Sequence, residues 1–372
     1  MTSPLLSRRN VLLGGLGVAA TAALAACTSS PGSTGTPSRT FGTPTPIPPS
    51  PGQKLIEKTL TAKPVTLDLG GRQVSTWAYG DVAPGPLVRA TAGDFLRLTL
   101  DNQLPADTTI HWHGIRLRNA ADGVPGLTQD PVKPGAQYVY EFTVPDPGTY
   151  FFHPHVGVQL DRGLYAPMVI DDPNEQGGYD AEWIVVLDDW IDGTGTTPDA
   201  VLKKLIADGG TASSGDMGGM DHGSMGEMSM GAGPWGDAGD VTYPFFLVNG
   251  RPPTDPEVLT AKPGQKVRLR IINAASDTIF TVALGGHRMT ITHTDRHAVQ
   301  PSEVDAFYIG MGERYDAVVT LKDGAFPLVA RPFGKTSGGQ AMALVRTAGG
   351  AAPGADVTPP ELSGQVLIGS QL

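Results

Sequence analysis

Gly93-Asp-Phe-Leu-Arg-Leu-Thr-Leu-Asp-Asn102 and Gly264-Gln-Lys-Val-Arg-Leu-Arg-Ile-Ile-Asn273 carry one pattern, Gly-x-x-apolar-Arg-Leu-x-apolar-x-Asn, displaced by 171 positions. In the first copy Leu96, Leu98 and Leu100 fall on one side of an extended chain, and Arg97, Thr99 and Asp101 on the other. Successive strand side chains alternate faces, so this spacing is that of a half-buried β-strand. Turn signals recur around it: Ala83-Pro-Gly-Pro86, Lys133-Pro-Gly135, Asp146-Pro-Gly148 and Lys262-Pro-Gly264. No long segment has helical apolar spacing, and Val201 to Ala207 reads as at most a short helix. The expectation is an all-β chain of two homologous sandwich or barrel domains, residues 54–172 and 173–350.

The 372 residues are too many for one compact core and suit two domains with unstructured ends. The composition is globular, 40% apolar and 17% charged, and its 49 Gly and 33 Pro favour turns and short strands. A formal charge of −10 argues against a nucleic-acid partner, because nothing would neutralise phosphates. The single cysteine, Cys27, excludes a disulfide within the chain.

Ser7-Arg8-Arg9-Asn10-Val11-Leu12-Leu13 opens a weakly apolar run to Ala26, too short for a comfortable membrane span. It reads as a twin-arginine export signal. Leu24-Ala25-Ala26-Cys27 resembles a lipobox, which makes Cys27 the expected lipidation site and residues 1–27 the signal. Residues 28–53, almost wholly Thr, Ser, Pro and Gly, should form a flexible tether outside a membrane.

Four of the eight histidines form two pairs, His111-Trp-His113 and His153-Pro-His155. Residues i and i+2 of a strand share a face, so each pair sets two imidazoles side by side. If the two strands are neighbours, four nitrogens converge, and copper or zinc are the main candidates. The other strand-borne histidines, His287, His293 and His297, are spaced irregularly and read as structural or exposed. Nine residues beyond Asn102 stands His111, whereas nine beyond Asn273 stands Val282; the second domain looks like a copy without the metal strand.

A second cluster is methionine-rich. Residues 216–230 hold Met217, Met220, His222, Met225, Met228 and Met230, interspersed with glycines that exclude a packed helix. Thioethers with one imidazole favour Cu(I), so all six are candidate copper contacts.

Several motifs together resemble the first cupredoxin domain of multicopper oxidases: Pro84-Gly-Pro86, Ile110-His-Trp-His-Gly114, Asp122-Gly-Val-Pro125, and Gly148-Thr-Tyr-Phe-Phe-His153-Pro-His155 followed by Gln159 and Gly163-Leu164. Gly312-Glu-Arg-Tyr-Asp316 resembles the close of the second domain in laccases and bacterial cuprous oxidases. The resemblance spans about residues 55–350 and implies two tandem cupredoxin-like Greek-key domains. It implies that His111 binds a type 2 copper and that His113, His153 and His155 bind type 3 coppers of a trinuclear centre. There dioxygen is reduced to water with electrons from a phenol, an amine or Cu(I). Asp122 matches an acidic position associated with proton relay; it is equally readable as the turn residue of Asp-Gly.

In that family a third domain supplies the remaining trinuclear ligands and the type 1 copper, through a His-x-x-His-x-His run and a His-Cys-His run. Neither run occurs in this sequence. Residues 351–372 resemble a linker toward such a domain, so the expectation is an incomplete copper set and doubtful activity for this chain unaided. A separate chain supplying the third domain is an allowed partner. The alternative function is a non-enzymatic copper-sequestering protein at the cell surface.

Overall fold

A computed structural model describes residues 41–42, 45–175, 177–208 and 238–372. The export signal with Cys27, and the methionine-rich segment with Met217, Met220, His222, Met225, Met228 and Met230, lie outside the described residues.

The first domain is built from β1 (Leu55–Asp68), β2 (Gln73–Tyr79), β3 (Val88–Thr91), β4 (Phe95–Asn102), β5 (His111–His113), β6 (Gln137–Thr143), β7 (Gly148–His153) and β8 (Ala166–Asp171). They form two four-stranded sheets, ordered β2-β1-β4-β6 and β3-β8-β7-β5. The β4 pattern is realised: Leu96, Leu98 and Leu100 are fully buried between the sheets, while Arg97, Thr99 and Asp101 are only partly covered. Trp112, Tyr140, Phe142 and Phe152 close that core.

The second domain repeats the plan. Its strands are β9 (Ala181–Trp190), β10 (Phe245–Val248), β11 (Val258–Thr260), β12 (Lys266–Asn273), β13 (Phe280–Leu284), β14 (Met289–Thr294), β15 (His297–Val304), β16 (Ala306–Ile309), β17 (Arg314–Thr320), β18 (Ala325–Pro332), β19 (Ala341–Arg346) and β20 (Val366–Leu367). The sheets run β10-β9-β12-β17-β14-β15 and β11-β19-β18-β13-β16-β20. β1 and β4 pair in parallel, as do β9 and β12; β3 and β8 pair in parallel, as do β11 and β19. β5 pairs antiparallel with β7, and β13 with β18. The repeat therefore extends from one strand to a whole domain, with β14, β15, β16 and β20 as additions in the second copy. Val282, at the position that corresponds to His111, lies wholly inside the second core.

The asparagine that ends both copies of the pattern has a structural job. The amide of Asn102 donates to the carbonyls of Ala106 and Val132 and accepts from the N–H of Leu104. Asn273 does the same with Thr278, Ile309 and Ala275. Each asparagine ties down the loop that leads into the next strand.

Helix α1 (Pro198–Ala207) fills the expected short-helix position, with the Thr197 hydroxyl accepting from the Ala200 N–H and Pro198 in its first turn. The late part of the tether is not free of the fold. Ile47 N–H donates to Glu141 and Phe41 N–H to Asp130, so carboxylates of the first domain satisfy backbone donors of this segment. Residues 351–372 lie against the second domain: β20 extends a sheet beside β16, and Leu362 and Leu367 are buried.

Candidate metal centre

β5 and β7 are adjacent and antiparallel, with His111 opposite His153 and His113 opposite Phe151. Pro154 ends the strand, and His155 follows it. The ring centroids lie 4.5 Å apart for His111 and His155, 5.1 Å for His153 and His155, 5.5 Å for His113 and His153, and 5.9 Å for His111 and His113. The two sequence pairs thus meet in one cluster.

Hydrogen bonds fix which nitrogens are available. His111 Nδ1 lies 2.9 Å from the Asp122 carbonyl oxygen, and His153 Nδ1 lies 3.0 Å from that of Pro154. A carbonyl only accepts, so both Nδ1 atoms carry the proton and both Nε2 atoms present a lone pair. His113 Nδ1 stands 3.2 Å from His153 Nε2, while its ring stacks on Phe151 at 4.5 Å.

Burial disfavours imidazolium. It drives His153 down to about 3; His113 also falls to about 3, through burial and then the Arg314 charge. His155 is lowered too, by burial and by His111. His113 and His153 are accordingly neutral in the physiological range, the form that ligates metal. Among the described residues no three His, Cys, Asp or Glu side chains converge as the ligand set of one ion.

The second domain supports the cluster through Gly312 to Asp316. Gly312 adopts φ 78°, and a Cβ there would lie 2.7 Å from Cε1 of His113. Arg314 donates to the Thr149 carbonyl and to that of Gly312. Asp316 is buried, accepting from the Thr149 hydroxyl at 2.6 Å and from Arg268 at 2.5 and 3.1 Å. Arg270 donates to Thr149 Oγ1 at 2.9 Å and pairs with Glu182. The two arginines occupy β12, in the repeated pattern; only this copy turns them toward the other domain.

Asp122 reaches the cluster chiefly through its backbone. Its carbonyl orients His111, while its carboxylate Oδ1 lies 3.4 Å from the same Nδ1 and is 32% exposed. His287 is buried and satisfied, with Nδ1 donating to the Gly285 carbonyl and Nε2 accepting from Lys322 N–H. His293 is half-buried and His297 exposed. Sequence reasoning did not single out Asp161. It lines a cavity of about 360 Å³ together with His113, His153, His155, Ser276 and Met311. Its only signal is its place two residues after Gln159.

Family profiles described as multicopper oxidase match residues 60–175 and 220–350. The chain is 46% identical over 361 residues to the multicopper oxidase MmcO of Mycobacterium tuberculosis, a match covering 97% of this chain and 70% of that protein. This chain belongs to the multicopper oxidase family. Copper resistance protein A of Pseudomonas syringae pv. tomato is 34% identical, with 75% of this chain and 48% of that protein covered. The laccase of Botrytis aclada has the same fold, with a TM-score of 0.65 at 26% identity over 83% of this chain and 56% of that one. A multicopper oxidase from Pseudomonas thermotolerans gives a TM-score of 0.61 at 29% identity, covering 84% and 70%. Apart from MmcO, the chain spans about half the length of the curated relatives it matches. The family binds copper, and the relatives are oxidoreductases; they do not favour the sequestering alternative.

Proposed function

We propose that this chain supplies four imidazoles of a copper centre that couples oxidation of a phenol, an amine or Cu(I) to reduction of dioxygen to water. The observation that carries this reading is the meeting of His111, His113, His153 and His155 in one cluster with His113 and His153 kept neutral. In this reading His111 holds the type 2 ion, and His113, His153 and His155 hold type 3 ions. Copper held there would relay electrons from the reducing substrate to dioxygen. The protein's own part is orientation. The Asp122 and Pro154 carbonyls aim two Nε2 lone pairs, and Phe151 holds the His113 ring. His113 Nδ1 and His153 Nε2, 3.2 Å apart, would hold one ion between them. The ligands that complete each ion would come from a third cupredoxin domain, in the same polypeptide or in a separate chain.

The Asp122 carboxylate, beside His111 and partly open to water, suits a proton relay on that side. Met217, Met220, His222, Met225, Met228 and Met230 are proposed to collect Cu(I), because soft thioethers prefer it. Export by the twin-arginine route and a lipid anchor at Cys27 place the folded part outside the membrane. Among the described residues no helix is long and apolar enough to cross one.

Counting copper in the loaded protein tests the assignment. His113→Ala and His153→Ala should each lose the same ion, and the double variant no more than either. Full copper content in both single variants rejects it.

A further inference from the structure

We propose that Asp161 loads and delivers protons for dioxygen reduction on the type 3 side of the histidine cluster, a role that rests on the copper-oxidase reading. Asp161 ends the 3-10 turn Gln159–Asp161 that follows the second histidine pair. Asp161 lines the same cavity as His113, His153 and His155, together with Ala275, Ser276, Met311 and Gly312 of the second domain. Met311 is 48% exposed and marks the mouth toward solvent. Asp122 does not line this cavity; it stands on the His111 side.

The surroundings hold a proton on Asp161. Tyr243 donates its hydroxyl to Asp161 Oδ1 at 3.0 Å, and the Ser276 hydroxyl bonds to the same carboxyl. Behind them β9 carries two buried aspartates. Asp189 takes the N–H groups of Ser276 and Asp277 and the Thr278 hydroxyl; Asp188 takes the Tyr165 hydroxyl at 2.6 Å. Asp277 faces the group from the loop after β12 and is paired with Lys335 at 2.8 Å. Arg162, the next residue, turns away to Asp192 and Asp199. His153 and His155, across the cavity, add no positive charge while neutral. Burial, and then the nearby Asp189, push Asp161 up to about 7.

The chemistry calls for such a group. One dioxygen takes four electrons from the reducing substrate and four protons to give two waters. Asp161 as the acid gives one proton to the water being formed, becomes a carboxylate, and regains a proton from solvent at the Met311 mouth. An acid ionising near the working pH does this best, because both forms are populated.

The test uses the copper-loaded protein together with the third cupredoxin domain that completes its ions. Asp161→Asn keeps an acceptor for Tyr243 and removes the proton; Asp161→Glu restores it. Infrared difference spectra of the wild type should show a protonated-carboxyl band titrating near pH 7, absent from Asp161→Asn. After anaerobic reduction and mixing with dioxygen, Asp161→Asn should reoxidise about a hundredfold more slowly, with unchanged copper content and Asp161→Glu recovering most of the rate. Wild-type reoxidation in Asp161→Asn, or a band that titrates in the ordinary carboxylate range, overturns the proposal. A wild type that holds copper and reduces no dioxygen overturns the oxidase reading itself.

Discussion

Single atoms decide whether the imidazoles can serve. Gly312 is required twice, by its left-handed backbone and by the His113 ring 2.7 Å from where a Cβ would sit. Gly135 has a similar φ of 75° with open space around it. Gly312→Ala and Gly135→Ala should therefore each cost about 1–2 kcal/mol of backbone strain in thermal unfolding. Only Gly312→Ala should also lose the copper proposed to be held by His113. Equal copper content in the two variants would show that the ring has room to shift. Gly123 leaves less latitude, since a Cβ there would lie 1.7 Å from the Ile110 carbonyl oxygen, directly before His111.

At the scale of elements, the junction of β7, β12 and β17 links the domains through one buried carboxylate. Asp316 stands between Arg268 and Arg270, with Thr149 of the first domain closing the network. Removing the charge leaves buried guanidinium groups short of a partner, which typically costs 3–5 kcal/mol. Asp316→Asn should lower the urea midpoint by an amount of that order, whereas Thr149→Val should cost about 1 kcal/mol. A loss of similar, small size in both would mean that Glu175 and Glu182 already neutralise the arginines. In the sequence these arginines look like Arg97 and Thr99, the outward face of a strand. In the structure Arg97 is partly exposed and paired with Glu57 and Glu141, while Arg268 and Arg270 are buried. The difference arises because only the second copy has another domain packed on that face.

Over the whole molecule, two groups of buried residues pull the pH dependence in opposite directions. His113 and His153 fall to about 3 in the folded state from about 6.5 unfolded, so the unfolded chain binds more protons between those values. Their contribution is present above pH 6.5 and is lost as pH falls toward 3. Asp161 and Asp189 rise to about 7 and about 6, so their contribution is present at low pH and is lost as pH climbs through those values. In the copper-free protein Asp161→Asn should be more stable than wild type by about 4 kcal/mol at pH 8 and nearly equal at pH 4. Paired denaturant titrations at the two pH values check this; a difference independent of pH would place the Asp161 proton elsewhere.

The sequence by itself determined the strand alternation, the duplicated domain and the two histidine pairs, because these follow from period-two geometry within a few residues. It also determined that Val282 stands where the first copy has His111. Only the tertiary structure decided that β5 lies beside β7, that β12 turns its arginines to the first domain, and that residues 351–372 add β20 to a sheet. It also brought Tyr243 to Asp161 across 82 positions. Such contacts depend on which faces two folded domains bury against each other, and burial changes a charge that a local pattern would leave in water.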